Sequence, residues 1–135
     1  MASTVPAAES NPELVPPGSA QLTAEVTRGV CRMLLRHDCV AMAEVPLGDG
    51  RRADLMALDA RGNIVIVEVK VSRADLMGDG KWTDYLAHCD RFFWAVPAGF
   101  DLAPLESPGF LPGRAGVIVA GRHDAGIVRE AHTVP

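Results

Sequence analysis

Asp54 and the triplet Glu68-Val69-Lys70 bring two carboxylates and an ammonium to one short stretch of chain. Asp54 follows Arg51-Arg52-Ala53, and Glu68 closes the apolar run Ile64-Val65-Ile66-Val67. Side chains two apart on a strand share a face, so Glu68 and Lys70 point the same way. Charges within an apolar run are costly to bury, and packing alone does not account for them. Two acids converging at a strand end can hold Mg²⁺ or Mn²⁺, hard ions that prefer oxygen ligands. The carbonyl of Val69 offers a third protein oxygen. Such an ion polarises a phosphodiester and lowers the pKa of water. Lys70 would orient or deprotonate the attacking water, or offset charge on the phosphate. With no cation between them, carboxylates this close repel one another.

A hairpin has to position these groups. Arg52 to Leu58 reads as its first strand and Ile64 to Val71 as its second, joined by the turn Asp59-Ala60-Arg61-Gly62-Asn63. Both parities of the second strand are apolar up to Glu68, the pattern of a central strand covered on both faces. Before the hairpin, the spacing of Leu22, Val26, Val30, Met33 and Leu34 predicts a helix from a Ser19 cap to about His37. Cys39 to Leu47 then reads as a strand ending at Gly48-Asp49-Gly50. After the hairpin, Ser72 and Asp75 suit a capped helix that Gly78 and Gly80 break, resuming from about Lys81 to His88. Arg91 to Val96 is an aromatic strand. Val117 to Ala120 and Ile127 to Arg129 are expected to form a short peripheral hairpin.

At 135 residues, the expectation is one domain over residues 19–135 behind a disordered, proline-rich leader over 1–18. Lys plus Arg total 13 against 17 Asp plus Glu, a charge of -4, which argues against a broad cationic nucleic-acid coat but not a local one. The three cysteines lack CxxC spacing and suit reduced, packed thiols. No apolar run is long enough to span a membrane, and the first residues lack an export signal, so a cytoplasmic location is expected.

Asp54 and Glu68-Val69-Lys70 resemble the signature of the PD-(D/E)XK nuclease superfamily, an aspartate on one core strand and an acid-x-lysine on the next. The order helix, three strands, helix, strand also matches that superfamily. Ala53 stands where the pattern often has proline. Glu25 on the first helix resembles the extra acid of some divergent members. Lys81 and Tyr85 look like a Gln-x-x-x-Tyr element with lysine in place of glutamine. Within the superfamily, Gly50-Arg51-Arg52-Ala53-Asp54, Val67-Glu68-Val69-Lys70, Lys81-Trp82-x-Asp84-Tyr85 and Cys89-Asp90-Arg91-Phe92 resemble the MmcB-like DNA repair proteins over residues 20 to 97. The resemblance implies a restriction-endonuclease-like α/β core, a central mixed sheet flanked by helices. It also implies a Mg²⁺- or Mn²⁺-dependent DNA nuclease acting in repair. Asp54, Glu68 and the Val69 carbonyl would bind metal, with Lys70 and Glu25 completing the catalytic set.

Arg51, Arg52, Arg73, Lys81, Tyr85 and Arg91 form the candidate nucleic-acid rim, with scattered surface basics as the plain alternative. Glu25 has two readings, a metal-site acid or an ordinary helical ion network with Arg28 and Arg32. Glu44 approaches the same pocket or is a structural acid at the sheet edge. Trp82 is read as core packing. The rival functions are a non-cleaving DNA-binding scaffold and a nuclease acting on RNA or modified nucleic acid. The expected partners are DNA and either a second copy of the chain or larger repair proteins.

Overall fold

The computed structural model describes residues 18–133. The leader read over residues 1–18 therefore lies outside the described residues, apart from Gly18. Helix α1 (Ser19–Arg36) begins one residue after Gly18, whose extended backbone occupies the N-cap with no side-chain bond. Ser19 is thus the first helical residue and not the cap. Its stripe Val26, Gly29, Val30, Met33 and Leu34 is buried, as the helical spacing requires.

Strands β1 (Val40–Pro46), β2 (Arg52–Leu58) and β3 (Ile64–Val69) form an antiparallel meander. β4 (Arg91–Pro97) and β5 (Gly116–Ala120) add to it in parallel, and β6 (Ala125–Arg129) returns antiparallel to β5. The result is one six-stranded mixed sheet in the order β1-β2-β3-β4-β5-β6, the restriction-endonuclease-like α/β core. The last hairpin is less peripheral than its sequence suggests. β5 is largely buried and sits inside the sheet beside β4, leaving β6 as the edge.

The crossover from β3 to β4 carries α2 (Arg73–Met77) and a 3-10 helix over Trp82–His88. Ser72 Oγ accepts the Asp75 N–H at 3.1 Å, so the cap forms as its sequence indicates. Gly78 ends α2, and the chain resumes with the tighter 3-10 winding. α1 covers the sheet face that carries Val65, Val67 and Val69. Leu76, Trp82 and Tyr85 cover the other, over Ile66, Phe92 and Trp94. Trp82 is core packing, with its ring 5.3 Å from Phe92 and 5.2 Å from Trp94.

α1 also rests on the loop between β5 and β6. A Cβ on Gly29 would collide with the carbonyl oxygens of Gly121 and Asp124, backbone atoms that cannot swing aside. Gly29→Ala is expected to cost about 1–3 kcal/mol through overpacking, lowering the thermal midpoint by roughly 4–12 °C. A calorimetric midpoint equal to wild type would show that helix and loop do not meet there.

Candidate functional site

The β2–β3 ladder runs in register from Leu58↔Ile64 to Leu55↔Val67. One step further it would set Asp54 opposite Glu68, and there the backbone pairing stops. Side chains take over the bonds: the Asp54 N–H donates to Glu68 Oε2 at 2.7 Å, and the Val69 N–H donates to Asp54 Oδ2 at 2.8 Å. Each carboxylate uses one oxygen to hold the opposite strand and keeps the other. The alternation of faces also slips here. Ala53 packs with the cluster under Trp82, while Leu55 packs with the cluster under α1. On the other side of β2 the register sets Glu44 opposite Asp54, and Glu44 holds φ 54°, a left-handed backbone outside glycine's domain. The sheet is deformed on both sides of Asp54.

The electrostatics follow from this convergence. Glu68 is only 3 % exposed, and burial followed by the Asp54 charge pushes its carboxyl up to about 8. Burial also raises Asp54, against the opposing pull of the Val69 N–H and the Lys70 ammonium. Each acid faces the other across the opened ladder, so the proton affinity of one depends on the charge of the other.

Lys70 lies on the Glu68 face, with Nζ 3.1 Å from Asp79 Oδ2 and 3.7 Å from Asp75 Oδ1. These three residues, with Ala74 and Gly78, line an open cleft of about 280 Å³. Sequence reasoning missed Asp79. The available signal was its place between Gly78 and Gly80, where the chain turns back toward the strand end. Asp75 was legible only as a cap partner, yet its carboxylate also faces Lys70.

Tyr85 reaches the site from the 3-10 helix. Its hydroxyl donates to the Arg52 carbonyl at 3.4 Å, and burial and the neighbouring Glu68 push it up to about 12. Arg51 lies over the Tyr85 ring, 5.5 Å from its centre, and its Nε donates to Asp84 Oδ2 at 3.1 Å. His88 Nε2 stands 3.0 Å from Asp49 Oδ2, which ties the turn before Arg51 to the same 3-10 helix.

A family model described as DNA repair protein MmcB-like matches residues 11–135. The chain belongs to the MmcB-like family. A solved protein of unknown function from Silicibacter pomeroyi is 39% identical, with a TM-score of 0.72 over 87% of this chain and 77% of that one. SfsA from Pyrococcus furiosus, solved in complex with Ca²⁺, is 13% identical over 73% of this chain and 56% of its own, with a TM-score of 0.38 that carries no argument. No curated protein matches.

In this MmcB-like chain the remaining candidates are dispersed. Glu25 is half-buried on α1, which covers the face opposite Glu68 and Lys70, and it accepts from Gln21 Nε2 at 3.5 Å. Among the described residues it makes no hydrogen bond or ion pair with Asp54, Glu68 or Lys70. Glu44 is exposed at the sheet edge and pairs with Arg52 at 3.4 Å. Arg51 and Arg52 border an open depression of about 340 Å³ beside the site. Arg73 is exposed and pairs with Asp101 at 3.5 Å, and Lys81 is exposed just before the 3-10 helix. Arg91 lies elsewhere: it is level with Val65, whereas Glu68 is level with Trp94. Three residues of strand, roughly 10 Å, separate those levels.

Among the described residues, no three His, Cys, Asp or Glu side chains group to hold a metal. The donors that do converge are one oxygen each from Asp54 and Glu68 and the Val69 carbonyl, which points to the same side of its strand as the Val69 N–H. Mg²⁺ commonly takes only one or two carboxylates and keeps several waters, so this set fits. Burial is the main cause of the raised proton affinity of both acids, with the Asp54 charge adding to it at Glu68.

Proposed function

We propose that the chain is a divalent-metal-dependent DNA nuclease acting in DNA repair. One observation carries the reading: the β2–β3 ladder opens so that the Asp54 and Glu68 carboxylates converge at a strand end, with Lys70 on the same face. Mg²⁺ or Mn²⁺ held there by Asp54, Glu68 and the Val69 carbonyl would supply Lewis-acid polarisation of the scissile phosphate. The protein's own part is positional. Backbone N–H groups fix the orientation of both carboxylates, and Tyr85 backs Glu68 from behind. Lys70 lines the cleft with its ammonium beside Asp79 and Asp75, from where it would orient the attacking water or meet the phosphate charge. Arg51 and Arg52 border the site on its other side and take the phosphate backbone.

A second reading, a DNA-binding scaffold that does not cleave, draws on two observations. No third acidic side chain among the described residues joins Asp54 and Glu68, and Lys70 is engaged by Asp79 and Asp75. A panel of end-labelled single-stranded, duplex, nicked and branched DNA, incubated with Mg²⁺ or Mn²⁺, separates the two. The nuclease reading expects products from at least one form with wild type and none with Asp54→Asn. Binding without hydrolysis of any form would leave the scaffold.

A further inference from the structure

We infer that the outward face of α1 is a second contact surface for the DNA phosphate backbone, distinct from the Asp54–Glu68 pair and the cleft at Lys70. The inference rests on the reading of this chain as a DNA-binding protein, but not on its cleaving DNA. Arg28, Arg32 and Arg36 are exposed and four residues apart, so they form one row along the helix. Each step rises about 6 Å, giving a row of about 12 Å, roughly the axial length of three phosphates along one DNA strand. Arg122 and His123, exposed on the β5–β6 loop, extend the row sideways. An open depression of about 340 Å³ lies between helix and loop, lined by Arg32, Leu35, Arg36, His123 and Asp124.

The balance of charge there is cationic although the whole chain carries -4. Among the described residues no carboxylate pairs with Arg28, Arg32 or Arg122, while Asp124 is held by Arg36 and by the Ala125 N–H. Glu25, three residues before Arg28, accepts from Gln21 Nε2. The loop also packs closely on the helix, since the Gly121 and Asp124 carbonyls occupy the space a Cβ on Gly29 would need. Leu35, 72 % exposed, is the one large apolar side chain in the depression. That is too little for the apolar core a protein partner needs, and a polyanion needs none. Because α1 covers the sheet face opposite Glu68 and Lys70, this row would hold a different stretch of DNA from the one at the cleft.

The test is fluorescence anisotropy of a labelled duplex over a salt series in EDTA, so that cleavage plays no part. Arg28→Gln/Arg32→Gln is compared with wild type and with Arg51→Gln/Arg52→Gln, each checked for an unchanged melting midpoint. The expected result is that the slope of log K against log salt becomes shallower by about 1.8 in the α1 variant, 0.9 for each lost phosphate contact. Losses in the two double variants should add. Wild-type affinity and slope in the α1 variant, with DNA still bound, would overturn the inference while sparing the cleft. A wild type that binds no DNA would overturn both. Loss of binding to a poly-glutamate peptide, with DNA binding intact, would assign the row to an acidic protein partner and overturn it as well.

Discussion

Lys70→Met is expected to slow single-turnover cleavage by about 10²-fold or more, the scale of losing a positioned proton-transfer or charge-stabilising group. Methionine keeps most of the apolar stem, so the packing of β3 against the crossover survives. DNA affinity should change little, because one phosphate contact among several adds a modest electrostatic increment. The structure adds a complication that the substitution has to meet. Asp79 is mostly buried and Lys70 is its ion-pair partner, so removing the ammonium strands a carboxylate. Lys70→Met/Asp79→Asn relieves that penalty without restoring the ammonium. If the double variant regains stability but not cleavage, the lysine acts in the reaction and not merely in the fold. A Lys70→Met protein that cuts as fast as wild type would remove this lysine from the mechanism.

The second large effect concerns pH. Glu68 is raised from 4.5 to about 8 in the folded chain, so between those values the folded state holds a proton that the unfolded state has released. The folded state then binds more protons, the derivative of unfolding free energy with pH is negative, and stability falls as pH rises through that window. One proton sets a ceiling of about 1.4 kcal/mol per pH unit. Glu68→Gln should flatten this slope and be the more stable protein near the alkaline end, provided the amide keeps the Asp54 N–H bond. Mn²⁺ should stabilise wild type more at high than at low pH, because cation and proton compete for the same oxygens. Denaturant unfolding across this range, with and without Mn²⁺, measures both. A slope shared by wild type and Glu68→Gln would mean that folding does not raise the proton affinity of Glu68.

How much of this was legible in the sequence depends on the range of the interaction. Local periodicity encoded the hairpin: β2 spans the residues that its alternation and turn chemistry indicate, and the Ser72 cap forms where the side-chain types place it. Asp54, Glu68 and Lys70 were legible for the same reason, since a short antiparallel hairpin sets its register through its turn. The β5 position was not. Whether a short apolar strand lies at an edge or inside a sheet is decided by parallel pairing with β4 across a long connection, which no local pattern carries.

The same limit applies to the side chains around the site. Arg91 belongs to the strand next to Glu68, yet parallel pairing puts the first residue of β4 level with the start of β3. Glu25 has helical spacing suited to an outward-looking acid, but the face that α1 covers was set by packing against Val65, Val67 and Val69. Asp79 acquired its part only when the Gly78–Gly80 turn folded back over Lys70. The residue types and their order thus indicated which groups could carry chemistry. Tertiary structure decided which of them meet, because a strand's period specifies the face of a side chain but neither its level in the sheet nor its neighbour across space.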